Sequence, residues 1–347
     1  MPTRFLTDAA FIMVIVPTRQ DKKTMNQCIV VTGGAGFVGS NLVRKLQNDH
    51  PDTHIVVIDD MRCGTFLNLV GQGDDDFRFQ GDLVAQSVTN VDWNDLIGRL
   101  KPSAIYHEAS ITDTTVSDQA KMISDNVDPF RRLLDTAVAT GVKLVWASSA
   151  GTYGMIKDGH ERRPFRIADA GRPANVYGFS KWAMENLHRQ VLAAHPDAHV
   201  VALRYFNVFG PGEQNKQHMA SMVYRLALQM LDGKRPRIFH DGQQARDQVY
   251  VGDVVEATIA AAADGARSGI YNVGSGKATT FNEIIEALNT ALGTTLEPDY
   301  FENPYDFYQS YTCADLSETE AGLAWRPHHD VRQAIIEYAG KIKSNVG

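Results

Sequence analysis

Cysteine is scarce in this chain: Cys28, Cys63 and Cys313 are the only three in 347 residues. An odd count without metal-ligand spacing builds neither a disulfide framework nor a zinc site, and it suits a reducing compartment. The chain is therefore expected to be cytoplasmic and free of bound metal. Excess positive charge is also missing, since 34 Lys and Arg against 41 Asp and Glu leave a net charge of −7. No basic cluster is present to neutralise a run of phosphates, which speaks against nucleic acid as a partner. Long apolar runs are absent too. The stretch "AAFIMVIV" (Ala9 to Val16) is too short to cross a bilayer, follows a single arginine and lacks a small-residue cleavage pattern. Residues 1–24 are read as a dispensable extension, with Met25 as the functional start, and no membrane partner is expected.

What is present is a regular alternation. "CIVVTGG", "HIVVIDD", "SAIYHEAS", "KLVWASS" and "AHVVALRYFN" are short, β-branched, nearly continuous apolar runs. Between them lie amphipathic stretches such as "GSNLVRKLQND" and "MISDNVDPFRRLLDTAVATG", the latter ending on Gly141, a residue suited to a helix C-terminus. Apolar strands separated by helices imply a parallel sheet covered on both faces with right-handed connections. The fold class is thus α/β, a doubly wound Rossmann sheet. After residue 206 the rhythm changes to Gly-, Pro- and Asn-rich loops with short helices, while "QVYVGDVV" and "GIYNVGS" read as strands returning to the first unit. The expected organisation is a dinucleotide-binding domain over 25–206 plus about 241–274, and a smaller, discontinuous mixed α/β substrate domain over 207–240 plus about 275–347.

"VTGGAGFVGSN" spaces Gly33, Gly36 and Gly39 three apart, directly after a strand and opening a helix. A diphosphate requires that arrangement: a tight turn, a bare backbone for close approach, and free N–H groups at a helix start. Asp59 at the end of the second strand supplies the ribose partner. Asp59 with Asp60 favours a free 2′-hydroxyl and hence NAD over NADP, while Arg62 nearby pulls the other way. "QGDL" places Asp82 and Leu83 where an adenine would lie, although Asp82 reads almost as well as a solvated turn residue.

"NVYGFSK" sets Tyr177 and Lys181 four residues apart on one helix face, and "SSAGTYG" ends a strand at Ser149. An ammonium beside a phenol favours the phenolate, and a serine at the strand end is placed to hydrogen-bond a reacting hydroxyl. This is equipment for moving a proton while hydride passes to or from a nicotinamide. Alone, a Tyr and Lys at this spacing are more often structural; after a nucleotide loop they are not.

From about Met25 onward the chain resembles the extended short-chain dehydrogenases/reductases of the nucleotide-sugar epimerase and dehydratase group. The motifs are the glycine loop, "HEAS", "SSAGTYG", "YGFSK", "RYFNVFGP" and "RDQVYVGDV". Within that group "GEQNKQHMAS", "RIFHDGQQARD" and "FYQSYTCADLS" are similar to the ADP-glyceromanno-heptose 6-epimerases. The resemblance implies a homo-oligomer acting on a nucleotide-diphosphate sugar, with tightly bound NAD or NADP and two acid/base residues, Tyr177 and Lys216. It implies nucleotide contacts from Phe37, Val38, Glu108, Ala109, Ser110, Asn126 and Val208. It also implies substrate contacts from Ser149, Asn207, His218, Arg225, Phe239, Arg246 and Tyr308. Arg246 is the expected diphosphate ligand, because a guanidinium fork pairs with phosphate oxygens; Arg225 reads equally well as a solvated helix charge.

Two departures bear on the cofactor: Phe66 stands where NADP-preferring members carry a lysine, and Asp60 where they carry an amide. A 4,6-dehydratase would need an Asp–Glu pair after the strand-end serine, and "SSAGTYG" has none. A UDP-hexose 4-epimerase would have no use for Lys216, and a GDP-heptose stays open as substrate. A nucleotide sensor that has lost catalysis would be expected to lose Tyr177 or Lys181.

Overall fold

The computed structural model describes residues 27–71, 76–154, 162–302 and 309–346. Seven parallel strands form its centre: β1 (Gln27–Thr32), β2 (Thr53–Asp59), β3 (Asp82–Ala85), β4 (Ala104–His107), β5 (Lys143–Ser149), β6 (Val200–Tyr205) and, after three strands that lie outside this sheet, β10 (Gly269–Val273). Their spatial order is β10-β6-β5-β4-β1-β2-β3, so the direction of winding reverses between β4 and β1. That reversal opens a crevice at the strands' C-terminal ends, the usual ligand position in an open α/β sheet.

Alternation along the strands divides the core. Ile29, Val31, Ile55, Val57, Val145 and Leu203 pack with Leu42, Val43 and Leu46 of α1 (Phe37–Asp49), and with Val254, Val255 and Ala257 further along the chain. Val30, Val56, Ile58, Ile105, Leu144 and Trp146 face the other way. They pack against α2 (Trp93–Leu100), α4 (Asp128–Thr140) and α5 (Val176–Ala194), the short α3 (Gln119–Met122) preceding α4. Gly141 does cap α4 in the left-handed conformation, at φ 72°.

β7 (Asn207–Phe209), β9 (Ala245–Tyr250) and β11 (Ala278–Thr280) form a separate three-stranded sheet, and β8 (Arg237–Phe239) pairs with β12 (Asp299–Phe301). A third core lies beside them, where α6 (Met222–Leu231), α8 (Phe281–Leu292) and α10 (Val331–Val346) pack together. α8 starts with a reciprocal cap between Thr280 and Glu283 and ends on Gly293. "QVYVGDVV" is only half a strand. β9 stops at Tyr250 and belongs to the small sheet, and α7 (Val251–Ala260) takes over, its valines returning to the main core. A helix segment and a buried strand of this length carry the same apolar signature. The last helix of the chain other than α10, α9 (Ser317–Leu323), places Leu323 on the same face as α1.

Among the described residues no helix is long and apolar enough to cross a membrane, and no group of His, Cys, Asp and Glu could hold a metal ion.

Behind β5 and β6 lies a buried ionic network. Arg204 Nε and Nη2 donate to the two oxygens of Glu185, each at 2.7 Å, and both side chains are fully buried. Ser148 Oγ donates to Glu185, and Arg204 Nη1 donates to Tyr153 Oη and to the Ile167 carbonyl. Removing one partner of such a pair strands the other charge, which costs about 3–5 kcal/mol, whereas replacing both with apolar groups costs far less. Arg204→Met should therefore lower the denaturant midpoint sharply, and Arg204→Met/Glu185→Met should recover most of the loss; equal midpoints for the single and double variants would contradict this.

Candidate active site

The glycine loop leaves β1 at Gly33, whose φ of 67° is one that side-chain-bearing residues rarely adopt. A Cβ on Gly33 would sit 2.7 Å from the Ala109 nitrogen, and one on Gly39 would sit 2.1 Å from the Gly33 carbonyl oxygen. α1 then begins at Gly36 with no side-chain cap and no acidic residue in its first turn. The N–H groups of Phe37, Val38 and Gly39 have no intrahelical acceptor and point out of the helix end. Bare backbone plus an uncapped helix start fits a diphosphate, and the residues present therefore fit a dinucleotide.

Asp59 lies at the C-terminal end of β2 and is buried. Its Oδ2 accepts from Ala35 N at 3.0 Å and its Oδ1 from Met61 N at 2.9 Å, so it braces the glycine loop. Burial pushes this carboxyl up, against the pull of those N–H groups. Asp60 is half-buried and accepts from Arg62 Nε at 2.6 Å. Asp82 Oδ2 lies 3.0 Å from His54 Nε2 in a hydrogen bond from the neighbouring strand, with Leu83 following it in β3.

Glu108 carries its own resolution of a difficulty. A carboxylate beside a diphosphate would repel it, yet here Oε1 accepts from the Tyr205 hydroxyl at 2.9 Å and faces the Lys181 ammonium. Burial pushes Glu108 up to about 7, with Tyr205 and Lys181 pulling it down. Ala109 N donates to Thr32 Oγ1, which fixes the β4 end against β1. Asn126, buried in a π-helical turn (Ile123–Val127), holds both backbone groups of Ile111: Oδ1 accepts from its N–H at 2.8 Å and Nδ2 donates to its carbonyl at 3.0 Å. It thus shapes the loop beside Ser110, and Ser180 Oγ lies 3.2 Å from the same amide.

Tyr177 and Lys181 project from the first turns of α5, whose start is capped by Asn175. Lys181 Nζ donates to the Ala147 carbonyl at 2.7 Å and lies 5.9 Å from the centre of the Tyr177 ring. Burial lowers Lys181 to about 8, while Glu108 and Glu185 hold it up. Ser149 hydrogen-bonds the Tyr177 phenol, whose pKa burial raises, and Ser149 Oγ accepts from Gly151 N at 3.0 Å. These three residues form one cluster at the end of β5.

Lys216 stands beside the glycine-loop helix. Its half-buried ammonium lies 5.1 Å from the centre of the Phe37 ring, within electrostatic reach of Glu213 and Cys63. Burial pushes it below the ordinary lysine range. Its loop is anchored by Glu213, whose buried carboxylate accepts from Gly210 N, Ser221 N and Ser221 Oγ. Gln217, next in the chain, has φ 50° and ψ −123°. His218 Nε2 then meets Asp113 Oδ2 at 3.4 Å, tying this loop to the one after β4.

The remaining expected contacts lie around the small sheet. Asn207 Nδ2 donates to the Asp247 carbonyl at 3.2 Å, and Val208 pairs with Val249 across β7 and β9. Arg246 is half-buried on β9 and donates to the Ala245 carbonyl. Arg225 is exposed; its Nη1 donates to the His218 carbonyl at 3.5 Å and to Met222 Sδ at 3.9 Å. Phe239 packs edge-on to Phe301. Tyr308 lies outside the described residues, as do residues 1–26. Sequence reasoning missed Glu213, Tyr205 and Asp113. Their signal is a contact between distant segments, which no local pattern carries.

Residues 29–274 match the NAD dependent epimerase/dehydratase family. The fold aligns with a solved Helicobacter pylori ADP-L-glycero-D-manno-heptose-6-epimerase at 37% identity and TM-score 0.82, covering 92% of this chain and 97% of that one. It aligns with a Thermotoga maritima UDP-glucose 4-epimerase bound to UDP-glucose at 25% identity and TM-score 0.81, covering 92% and 100% of the two chains. A Thermus thermophilus UDP-glucose 4-epimerase in complex with NAD gives 26% identity and TM-score 0.74, covering 91% and 99%. With a parallel seven-stranded sheet, a bare glycine loop and the Ser149–Tyr177–Lys181 cluster, this chain belongs to the NAD-dependent epimerase/dehydratase family of nucleotide-sugar enzymes.

Proposed function

We propose that the protein inverts C6 of an ADP-heptose, converting ADP-D-glycero-D-manno-heptose to its L-glycero epimer. The observation that carries this reading is Lys216: a half-buried ammonium beside the Phe37 ring of the glycine-loop helix, held by a loop anchored on a buried carboxylate. The likeness to the Helicobacter pylori enzyme across nearly the whole chain supports the same substrate.

The chemistry explains the need for two acid/base groups. The C6 hydrogen is not acidic, so inversion has to pass through a ketone. Bound NAD would supply a reversible hydride acceptor. The glycine loop and Asp59 would hold it, and Tyr177 and Lys181 would face its nicotinamide end. Tyr177, hydrogen-bonded to Ser149, exchanges a proton with the substrate oxygen in one orientation. After the ketone turns over, its oxygen faces the other wall, where Lys216 exchanges the second proton. Burial lowers the Lys216 pKa, which brings an amine towards the range where it can work as both acid and base near neutrality. Arg246 and Asn207 line the small-sheet side and are assigned to the substrate diphosphate and sugar. The solved 4-epimerases at 25–26% identity keep UDP-hexose as the second substrate class, and GDP-heptose is the other alternative.

Incubation with ADP-D-glycero-β-D-manno-heptose, followed by NMR of the anomeric region, should show the L-glycero epimer. Lys216→Ala and Tyr177→Phe should each slow turnover by about 10²–10⁴-fold, the usual contribution of a positioned acid or base. No conversion by the unmodified protein would reject the substrate. Conversion indifferent to Lys216→Ala would reject the second base.

The charge on Glu108 makes a separate expectation. Because Glu108 holds Lys181 up at about 8, Glu108→Gln should move Lys181 lower still. The Lys181 ammonium would then be lost at lower pH. The alkaline limb of the kcat profile should shift towards neutrality, and an unshifted limb would show that Lys181 protonation does not govern the rate.

A further inference from the structure

Cofactor choice in this fold turns on what surrounds the adenosine 2′ position at the end of β2: an acid accepts a hydroxyl, and a free arginine accepts a phosphate. This chain has both an acid pair and an arginine there, and the structure shows how the arginine is used. Arg62 Nε donates to Asp60 Oδ2 at 2.6 Å, and Arg62 Nη1 donates to Asp125 Oδ2 at 3.3 Å. Lys121 Nζ meets the same Asp125 oxygen at 2.8 Å, and Ser124 Oγ donates to Asp125 Oδ1 at 3.2 Å. The four charged groups balance, two carboxylates against two cations. Asp60 also accepts from the Arg62 backbone N–H at 3.1 Å, which sets the turn.

The position of Asp125 gives the quartet its reach. It lies in the π-helical turn after β4, whereas Arg62 follows β2, and β1 with its glycine loop lies between those strands. The Arg62–Asp125 pair therefore spans the C-terminal end of β1, over which the adenosine half of a bound dinucleotide would pass. Phe66, further along the same loop, is 63% exposed and offers no charge. A 2′-phosphate arriving here would find its arginine shared between two acids and a second cation held by one of them.

We propose that Asp125 is a cofactor-selecting residue: by holding Arg62 and Lys121 it denies both cations to a 2′-phosphate and makes the site selective for NAD over NADP. The inference rests on the nicotinamide site described above, and it reaches beyond the acid pair at the end of β2 to a residue more than 60 positions away in sequence. Asp125→Asn leaves the site one unit more positive, releases Lys121 and leaves Arg62 shared with Asp60 alone. Asp60→Asn leaves both Arg62 and Lys121 paired with Asp125 and should have the smaller effect.

The test is a competition that needs no turnover. Purified protein is dialysed against equimolar NAD⁺ and NADP⁺ until the ratio is constant, and the retained nucleotide is extracted and quantified by chromatography. Unmodified protein should retain mainly NAD. Asp125→Asn should raise the NADP to NAD ratio by about tenfold, a difference of about 1.4 kcal/mol. Asp60→Asn should raise it less, and Asp125→Asn/Arg62→Ala should lose most of the gain. Thermal melts of each variant separate misfolding from altered choice. Retention of mainly NADP by the unmodified protein, or an Asp125→Asn ratio equal to that of the unmodified protein, would overturn the proposal while leaving the nicotinamide site intact. Retention of neither nucleotide would overturn both.

Discussion

The close approach of two backbones, at Gly33 and at the Glu108–Ala109 peptide, is the constraint on which the rest of the molecule depends. A single methyl group at Gly33 would lie 2.7 Å from Ala109 N. Because the strand ends are so near, Thr32 Oγ1 can take the Ala109 N–H, and the β1 turn is fixed against the β4 loop. From the same turn follow the uncapped start of α1 and the Asp59 brace on Ala35 N. The seven strands supply the crevice, but this contact sets its floor. A wider loop would leave the helix dipole and its free N–H groups directed at nothing.

A second constraint is electrostatic and runs through α5. Lys181 is buried with one neutral acceptor, the Ala147 carbonyl, and would be poorly charged if it stood alone. Two carboxylates, Glu108 and Glu185, keep its pKa near 8. Glu185 is in turn committed to Arg204, so the helix carrying Tyr177 and Lys181 is pinned to β6 by a fully buried ion pair. Relative to an unfolded pKa of about 10.4, a lysine lowered to about 8 penalises the folded state while it is protonated. That penalty is complete below about pH 8 and is relieved as pH rises from there towards the unfolded value. The site thus gives up stability at neutral pH to keep a cation beside a phenol.

Much of the sheet was legible in the sequence because local chemistry dictates it. β-branched runs and Gly141 at a helix end each act within a few residues. The glycine spacing and the Tyr177–Lys181 pair were legible for the same reason. What stayed hidden were partnerships across the crevice: Arg62 with Asp125, His218 with Asp113, Tyr205 with Glu108. These join segments brought together only by strand order, and periodicity carries no information about them. The half-strand, half-helix over Gln248–Val255 was misread for a different reason, since burial on every side erases the alternation that separates the two.

The Lys216 loop shows why a lysine in a polar, glycine-broken segment is not simply a solvated charge. Gln217 holds a backbone conformation that a side-chain-bearing residue adopts only when its surroundings over-determine it. Those surroundings are specific. Glu213 ties the loop to the start of α6 through Ser221, Asn41 Nδ2 donates to the Pro211 carbonyl at 2.8 Å, and His218 is drawn to Asp113. Lys216 lies between these anchors, so its ammonium is delivered to the Phe37 ring by the backbone rather than left to its own four-carbon stem. A long flexible side chain loses about 2 kcal/mol of rotamer entropy when fixed. A strained, multiply anchored backbone does not remove that cost, but it narrows where the ammonium can go before any ligand arrives. Placement of this kind has little value for a solvated surface charge and considerable value for a proton donor whose reach has to be set in advance.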